Sequence, residues 1–256
     1  MKNTKAENKP KALKISKALK KTDGIILDVD GTLWDSTGIV AKAWTRAVRE
    51  NGCPDKTVTP GMLQALFGRT MDVIADNLLP ELTPEHRYRI MDVCCVYEQQ
   101  ALEQMEGCAN HKMPEKPNPH SGERNPETEK ELHEECAICY PGVQKTIREL
   151  SEHVPVFIVS NCQKGYIELF LKKTALGAYV TDFECFGNTG KSKDENIRLL
   201  AERNHLKRPV YVGDTQGDCD ASKKAEVPFI YAKYGFGTVD DSDAEIESFP
   251  ELKMIL

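Results

Sequence analysis

Three runs of consecutive aliphatic residues constrain this chain most: "GIILDVD" at 24–30, "VPVFIVSN" at 154–161 and "RPVYVGD" at 208–214. None alternates apolar with polar, so each reads as a strand covered on both faces. Each also ends in a polar or acidic residue, Asp28, Ser160 or Asp214. Helical patterns separate and follow the strands. In "QKGYIELFLKKTAL", Tyr166, Ile167, Phe170 and Leu171 share a face; "KDENIRLLAERNHL" turns Ile197, Leu200 and Ala201 inward. "CDASKKAEV" reads as a short helix, and "YPGVQKTIREL" places Val143, Ile147 and Leu150 on one stripe. This alternation predicts an α/β fold with a Rossmann-like parallel sheet and helices on both faces.

The stretch between the first two strands breaks the alternation. From about Ile39 to Met105 the pattern is almost wholly helical, with Pro60 and Pro84 near helix starts, where a missing amide costs little. Such helices, inserted after the first strand, predict an α-helical cap over the sheet edge. Residues 106–135 lose periodicity and hold four prolines among many charges, which predicts an irregular insertion. The expected organisation is a basic extension at 1–21, core at 22–37, cap with its insertion at 38–139, and core again at 140–256.

Charge narrows the partners. The net charge is -6, yet the first 22 residues carry eight lysines and one glutamate. The body is therefore acidic, which excludes a general polyanion-binding surface and makes nucleic acid an unlikely partner. The tail reads as a solvated extension or a contact for an anionic partner. It lacks a continuous apolar stretch, and no later segment is expected to span a bilayer, so a cytoplasmic protein is expected. Nine cysteines, mostly single within apolar runs, read as thiols in a reducing compartment; Cys94, Cys95 and Cys185 are expected to be buried.

Ligands of open parallel sheets bind beyond the carboxyl ends of the strands. Asp28, Asp30, Ser160 and Asp214 should therefore meet in one pocket, with Lys191 or Lys193 reaching it and Asp218 one helical turn past Asp214. Carboxylates that close repel unless a cation sits among them. Oxygen donors without a nearby His or Cys select a hard divalent ion, magnesium. Beside that ion Asp28 can attack phosphorus and form an aspartyl-phosphate. Gly31 lets the backbone turn so that Asp30 can protonate the leaving oxygen and then activate water. Lysine, Ser160, Thr32 and backbone amides are expected on the phosphoryl oxygens.

"DVDGT" at 28–32, "SN" at 160–161, the lysine in "GKSKDEN" and "GDTQGD" at 213–218 resemble the four ordered motifs of the haloacid-dehalogenase-like superfamily. The helical insertion resembles the small cap of its phosphoglycolate-phosphatase and beta-phosphoglucomutase branch. The resemblance implies Asp28 as nucleophile and Asp30 as general acid/base, its carbonyl also a magnesium ligand with Asp28 and Asp214. It implies Ser160 and Asn161 at the phosphate, Asp218 as a supporting acid, and Lys193 rather than Lys191 as the catalytic lysine. Asp30 favours phosphate esters over carbon-bound halides, because an alcohol leaving group needs a proton. The implied reaction is magnesium-dependent hydrolysis of a small-metabolite phosphomonoester, such as phosphoglycolate or a sugar phosphate. A phosphomutase shares these residues and is the alternative; a non-catalytic binding protein and an enzyme processing nucleic-acid ends are further rivals.

In the cap, Gly68 and Arg69 of "LFGRT" resemble a substrate-facing loop, where Arg69 either grips an anionic group or is a plain surface residue. Trp34 is expected at the core–cap junction. "CANH" and "CAIC" give Cys108, His111, Cys136 and Cys139, with His133 as another donor, and their spacing suits either a structural zinc ion or free thiols. Oligomeric state is not legible.

Overall fold

The computed structural model describes residues 21–105 and 136–256. The basic tail before Lys21 and the expectations for Cys108, His111, His133 and the irregular insertion lie outside the described residues. Within them, six strands form one parallel sheet: β1 (Gly24–Leu27), β2 (Val156–Ser160), β3 (Asp182–Cys185), β4 (Pro209–Gly213), β5 (Phe229–Ala232) and β6 (Ala244–Ile246). Their order is β3-β2-β1-β4-β5-β6. The chain thus works outward from β1 to β3, then returns to the other side of β1 and continues to β6. The switch point falls between β1 and β4, where Leu27 pairs with Val212. At such a point the connections diverge to opposite faces and leave a crevice at the carboxyl ends.

The strands within the three runs, β1, β2 and β4, are buried throughout, as their lack of alternation predicts. One face packs Ile26, Phe157, Val159, Tyr211 and Phe229 beneath α8 (Lys193–Arg203) and α9 (Gln216–Lys224). The other packs Ile25, Leu27, Ile158 and Val212 against α5 (Val143–Ser151) and α6 (Tyr166–Thr174). A four-residue helix, α7 (Phe186–Thr189), follows β3, and α10 (Leu252–Ile255) closes the chain.

The inserted helices are α1 (Thr37–Glu50), α2 (Pro60–Gln64), α3 (Met71–Leu78) and α4 (Pro84–Gln104). Pro60 and Pro84 each occupy the first turn of their helix. Trp44, Leu63, Ile74, Ile90, Cys94 and Leu102 give the insertion an apolar interior continuous with the core. The chain leaves and re-enters the core at one place: Trp34 pairs antiparallel with Cys139. Asp35 N donates to Ile138 O at 2.8 Å, and Tyr140 N to Leu33 O at 3.0 Å. Trp34 is fully buried there, edge-on to Phe170 at 4.9 Å and Tyr166 at 5.7 Å. No helix among the described residues is long and apolar enough to cross a membrane.

Candidate active site

The turn after β1 is built around Gly31, whose φ of +82° suits a residue without a Cβ. A Cβ there would also run into the Asp214 carboxylate. That close approach seats Asp28, at the end of β1, beside Asp214, at the end of β4. The helices supply the rest. Thr215 caps α9, and Asp218 returns the bond, its Oδ2 accepting from Thr215 N at 3.0 Å. At α8 the Ser192 amide donates to Glu195 at 3.0 Å, a reciprocal cap that fixes the first turn. Lys193 opens that turn and reaches under the strand ends.

Lys193 is 4 % exposed, and its Nζ donates to Asp28 Oδ1 at 2.9 Å and Asp218 Oδ1 at 2.5 Å. Lys191, the other candidate, is exposed. Asp28, Asp214 and Asp218 each offer an oxygen within 4.8 Å of the others, all three buried. Burial alone lowers the proton affinity of the Lys193 ammonium, but Asp218 and Asp28 override it and hold it well above the ordinary lysine value. Burial pushes Asp28 up to about 7 against the pull of Lys193, with Asp218 adding to the rise. Burial, then Asp218 and Asp28, also hold Asp214 well above the carboxylate range. One ammonium does not neutralise three buried carboxylates. The donor set is all oxygen and short of positive charge, which fits a hard divalent cation held by Asp28 and Asp214.

Asp30 sits beside this group with partners of its own. Its Oδ1 accepts from Tyr166 OH at 2.7 Å, Ser36 Oγ at 2.8 Å and Trp34 Nε1 at 3.1 Å. Burial raises its carboxyl to about 6, opposed by those three hydrogen bonds. Tyr166 counts in the sequence as one more apolar position of α6; its hydroxyl role there had no local signal. Trp34 is a junction residue that also donates to Asp30.

Two residues expected at the phosphate have protein partners in the structure. Thr32 is fully buried, its hydroxyl donating to Asp214 Oδ1 at 3.2 Å and its amide to Val29 O at 3.2 Å. It orients Asp214, because the tight turn folds it beneath the strand ends. Asn161 Nδ2 donates to Gly68 O at 2.8 Å, so its amide ties the cap loop to the core. Ser160 is buried at the end of β2 and lines the adjoining pocket. Gly68 and Arg69 line it too, Arg69 at an exposed position.

Of the four residues considered for zinc, only Cys136 and Cys139 are described. They close a turn in which Cys139 N donates to Cys136 O at 2.9 Å, Cys136 N donates to Gln144, and Cys139 forms the rung opposite Trp34. The cluster of potential metal ligands found among the described residues is the acidic one. Cys94 and Cys185 are buried and Cys95 half-buried.

A parallel sheet with acids gathered at its switch point and helices inserted after the first strand defines a capped α/β enzyme of Rossmann-like architecture. More specifically, the chain belongs to the haloacid dehalogenase-like hydrolase family, whose model matches residues 25–232. A search of curated protein sequences finds no match. Among solved structures, the fold is similar to a predicted phosphoglycolate phosphatase from Haemophilus somnus. The identity is 17 %, the TM-score 0.69, and the match covers 91 % of this chain and 97 % of that one. A haloacid dehalogenase-like hydrolase from Streptococcus pneumoniae is similar at 15 % identity and TM-score 0.68, over 92 % and 98 % of the two chains. A subfamily IA hydrolase from Geobacter sulfurreducens is similar at 15 % identity and TM-score 0.61, over 92 % and 96 %. At such identities the likeness speaks for the fold.

Proposed function

We propose that this hydrolase cleaves phosphomonoesters of small metabolites through an aspartyl-phosphate on Asp28. The observation that carries the reading is the buried Lys193 bridging Asp28 and Asp218, with Asp214 alongside. A lone carboxylate at a strand end serves as a cap; three sharing one ammonium suit a site that receives a dianionic phosphoryl group. Magnesium would be held by Asp28, Asp214 and the Asp30 carbonyl, and when bound it supplies charge neutralisation at the phosphoryl oxygens.

In the first half-reaction an Asp28 oxygen attacks phosphorus, the bond from phosphorus to the ester oxygen breaks, and Asp30 gives its proton to the departing alkoxide. In the second, Asp30 takes a proton from water, the hydroxide attacks phosphorus, and the bond to Asp28 breaks to release inorganic phosphate. The raised proton affinity of Asp30 suits a group that must both hold and surrender a proton near neutrality. Lys193 keeps Asp28 ionised and in register, and Ser160 faces the phosphoryl oxygens. The name of the Haemophilus somnus protein, a predicted phosphoglycolate phosphatase, supports a phosphatase acting on a small phosphate ester.

The test is release of inorganic phosphate by the purified full chain from p-nitrophenyl phosphate and a panel of phosphorylated metabolites, with magnesium or with chelator. Turnover should require magnesium and fall at least about a thousandfold in Asp28→Asn. Undiminished cleavage by Asp28→Asn, or isomer formation without phosphate release, would refute it.

A further inference from the structure

A second buried acid lies under the cap and has no part in the chemistry above. Glu98, on α4, is 3 % exposed, and no ion pair of Glu98 is found among the described residues. Its two partners are neutral donors: Trp44 Nε1 at 2.9 Å on one oxygen and Gln163 Nε2 at 3.1 Å on the other. A carboxylate has about four lone-pair positions, so two remain open. Buried acids are rare without a cation; with neutral partners alone, burial pushes this one up to about 8, and a cation beside it would favour the ionised carboxylate.

Glu98 lines a pocket between cap and core, together with Asp30, Tyr166, Asn161 and Arg69. Asp30 is the group assigned to the leaving oxygen, so on the phosphomonoester reading this pocket receives the leaving alcohol. Of its polar donors, Ser160 is assigned to the phosphoryl oxygens, Arg69 is exposed, and the others are engaged: Tyr166 OH on Asp30, Trp44 and Gln163 on Glu98, and Asn161 Nδ2 on Gly68 O. What stays open is acceptors. Asn161 Oδ1 is buried and has no hydrogen-bond partner. An amide flip does not relieve it, because the oxygen would then face the Gly68 carbonyl. Arg69 is the cation lining the pocket, but it is exposed, so solvent screens its charge while the two acids are screened far less.

These observations sort ligands by hydrogen-bond polarity. A carboxylate only accepts, and beside two acids it would find at most the single proton of a neutral Glu98. A hydroxyl gives one proton. An ammonium gives three and carries the missing charge. The space is small, about 30 Å³, so the group beside Glu98 must be compact and on a short chain. We infer that this pocket selects phosphate esters of short amino alcohols, the ammonium being received by the Glu98 carboxylate and the Asn161 side-chain oxygen. The inference rests on the phosphatase reading and narrows its substrate class.

The test uses three two-carbon esters that differ in one group: 2-aminoethyl, 2-hydroxyethyl and carboxymethyl phosphate. Their Kd values are measured calorimetrically on full-length Asp28→Asn with magnesium, which keeps the pocket and removes the nucleophile. The aminoethyl ester should bind at least tenfold tighter than the hydroxyethyl ester, and the carboxymethyl ester weakest. Adding Glu98→Gln should reduce the tenfold preference to less than threefold, and Asn161→Leu should reduce it at least threefold. In the enzyme with Asp28 intact, Glu98→Gln should raise KM for the aminoethyl ester more than it lowers kcat. Equal affinity for all three esters, or a preference that survives Glu98→Gln in folded protein, overturns the inference. Absence of phosphate release from p-nitrophenyl phosphate refutes the phosphatase reading alone, because the binding preference is read without turnover.

Discussion

Lys193→Met offers the most direct test of how the acidic cluster is held together. The substitution keeps most of the side-chain volume and removes the one ammonium shared by Asp28 and Asp218. Those carboxylates offer oxygens within 4.8 Å of each other. At an effective dielectric of about 20, two unit charges at that distance repel by about 3.5 kcal/mol, inside the ~3–5 kcal/mol typical of removing one partner of a buried pair. At about 2–4 °C per kcal/mol, the variant should melt roughly 7–14 °C lower at neutral pH in chelator. Urea unfolding followed by fluorescence suits the measurement, since Trp34 and Trp44 are both fully buried. The loss must also depend on pH. Asp28 already sits near 7 against an ordinary 3.8, and without Lys193 it rises further. The folded state therefore keeps a proton that the unfolded chain gives up, so the contribution of Asp28 to the variant's stability is greatest below about pH 4 and is lost as pH rises through neutrality. Magnesium at about 100 times its Kd should restore about 2.7 kcal/mol. A loss below about 1 kcal/mol, or one equal at pH 5 and pH 8, would refute the account of a cluster held by one ammonium.

Further outcomes follow from individual contacts. Asp30→Asn should lower kcat/KM by about 10²–10⁴ for alkyl phosphates and much less for p-nitrophenyl phosphate, whose leaving group departs without a proton; equal losses would remove Asp30 from the acid role. Gly31→Ala forces a strained φ and drives a methyl into Asp214, so the magnesium-induced rise in Tm should disappear; a retained rise counts against the assigned ligands. Glu98 has its proton affinity raised by burial from an ordinary 4.5 to about 8, so its contribution to stability is greatest below about pH 4.5 and declines as pH climbs to 8. Urea midpoints at pH 5 and pH 8 should therefore fall for the native chain relative to Glu98→Gln, and parallel curves would show that Glu98 is not a buried, unpaired acid.

The parts of this fold that could be read from sequence are those where one physical effect dominates. β1, β2 and β4 are central and buried on both faces, so each shows as an unbroken aliphatic run with its polar residue at the carboxyl end. β3 and β6 are edge strands with partly exposed residues, Asp182 and Glu245 among them, and no run marks them. β5 is buried and four residues long like β1, but it ends at Ala232 with no acid at its carboxyl end to mark it. The acidic site was legible because its members sit at strand ends or one turn beyond. Contacts that depend on how cap meets core were not, such as Tyr166 on Asp30 and Asn161 on Gly68. Glu98 did leave a trace. It continues the buried series Ile90, Cys94 and Leu102 at four-residue spacing, and an acid in register with an apolar stripe needs a reason to be there.

The rung between Trp34 and Cys139 has a consequence for how such an enzyme can change. Both ends of a long detour are fastened to each other, so the spacing of the two core segments is set there and not by the length of what hangs between them. Helices over the crevice can be exchanged, extended or trimmed while the acids at the strand ends keep their places. Chemistry and selectivity then become adjustable parts, and a foreign helical module grafted after Ser36 and before Ile138 would retarget the enzyme if it also supplied an acceptor for Asn161 in place of Gly68 O.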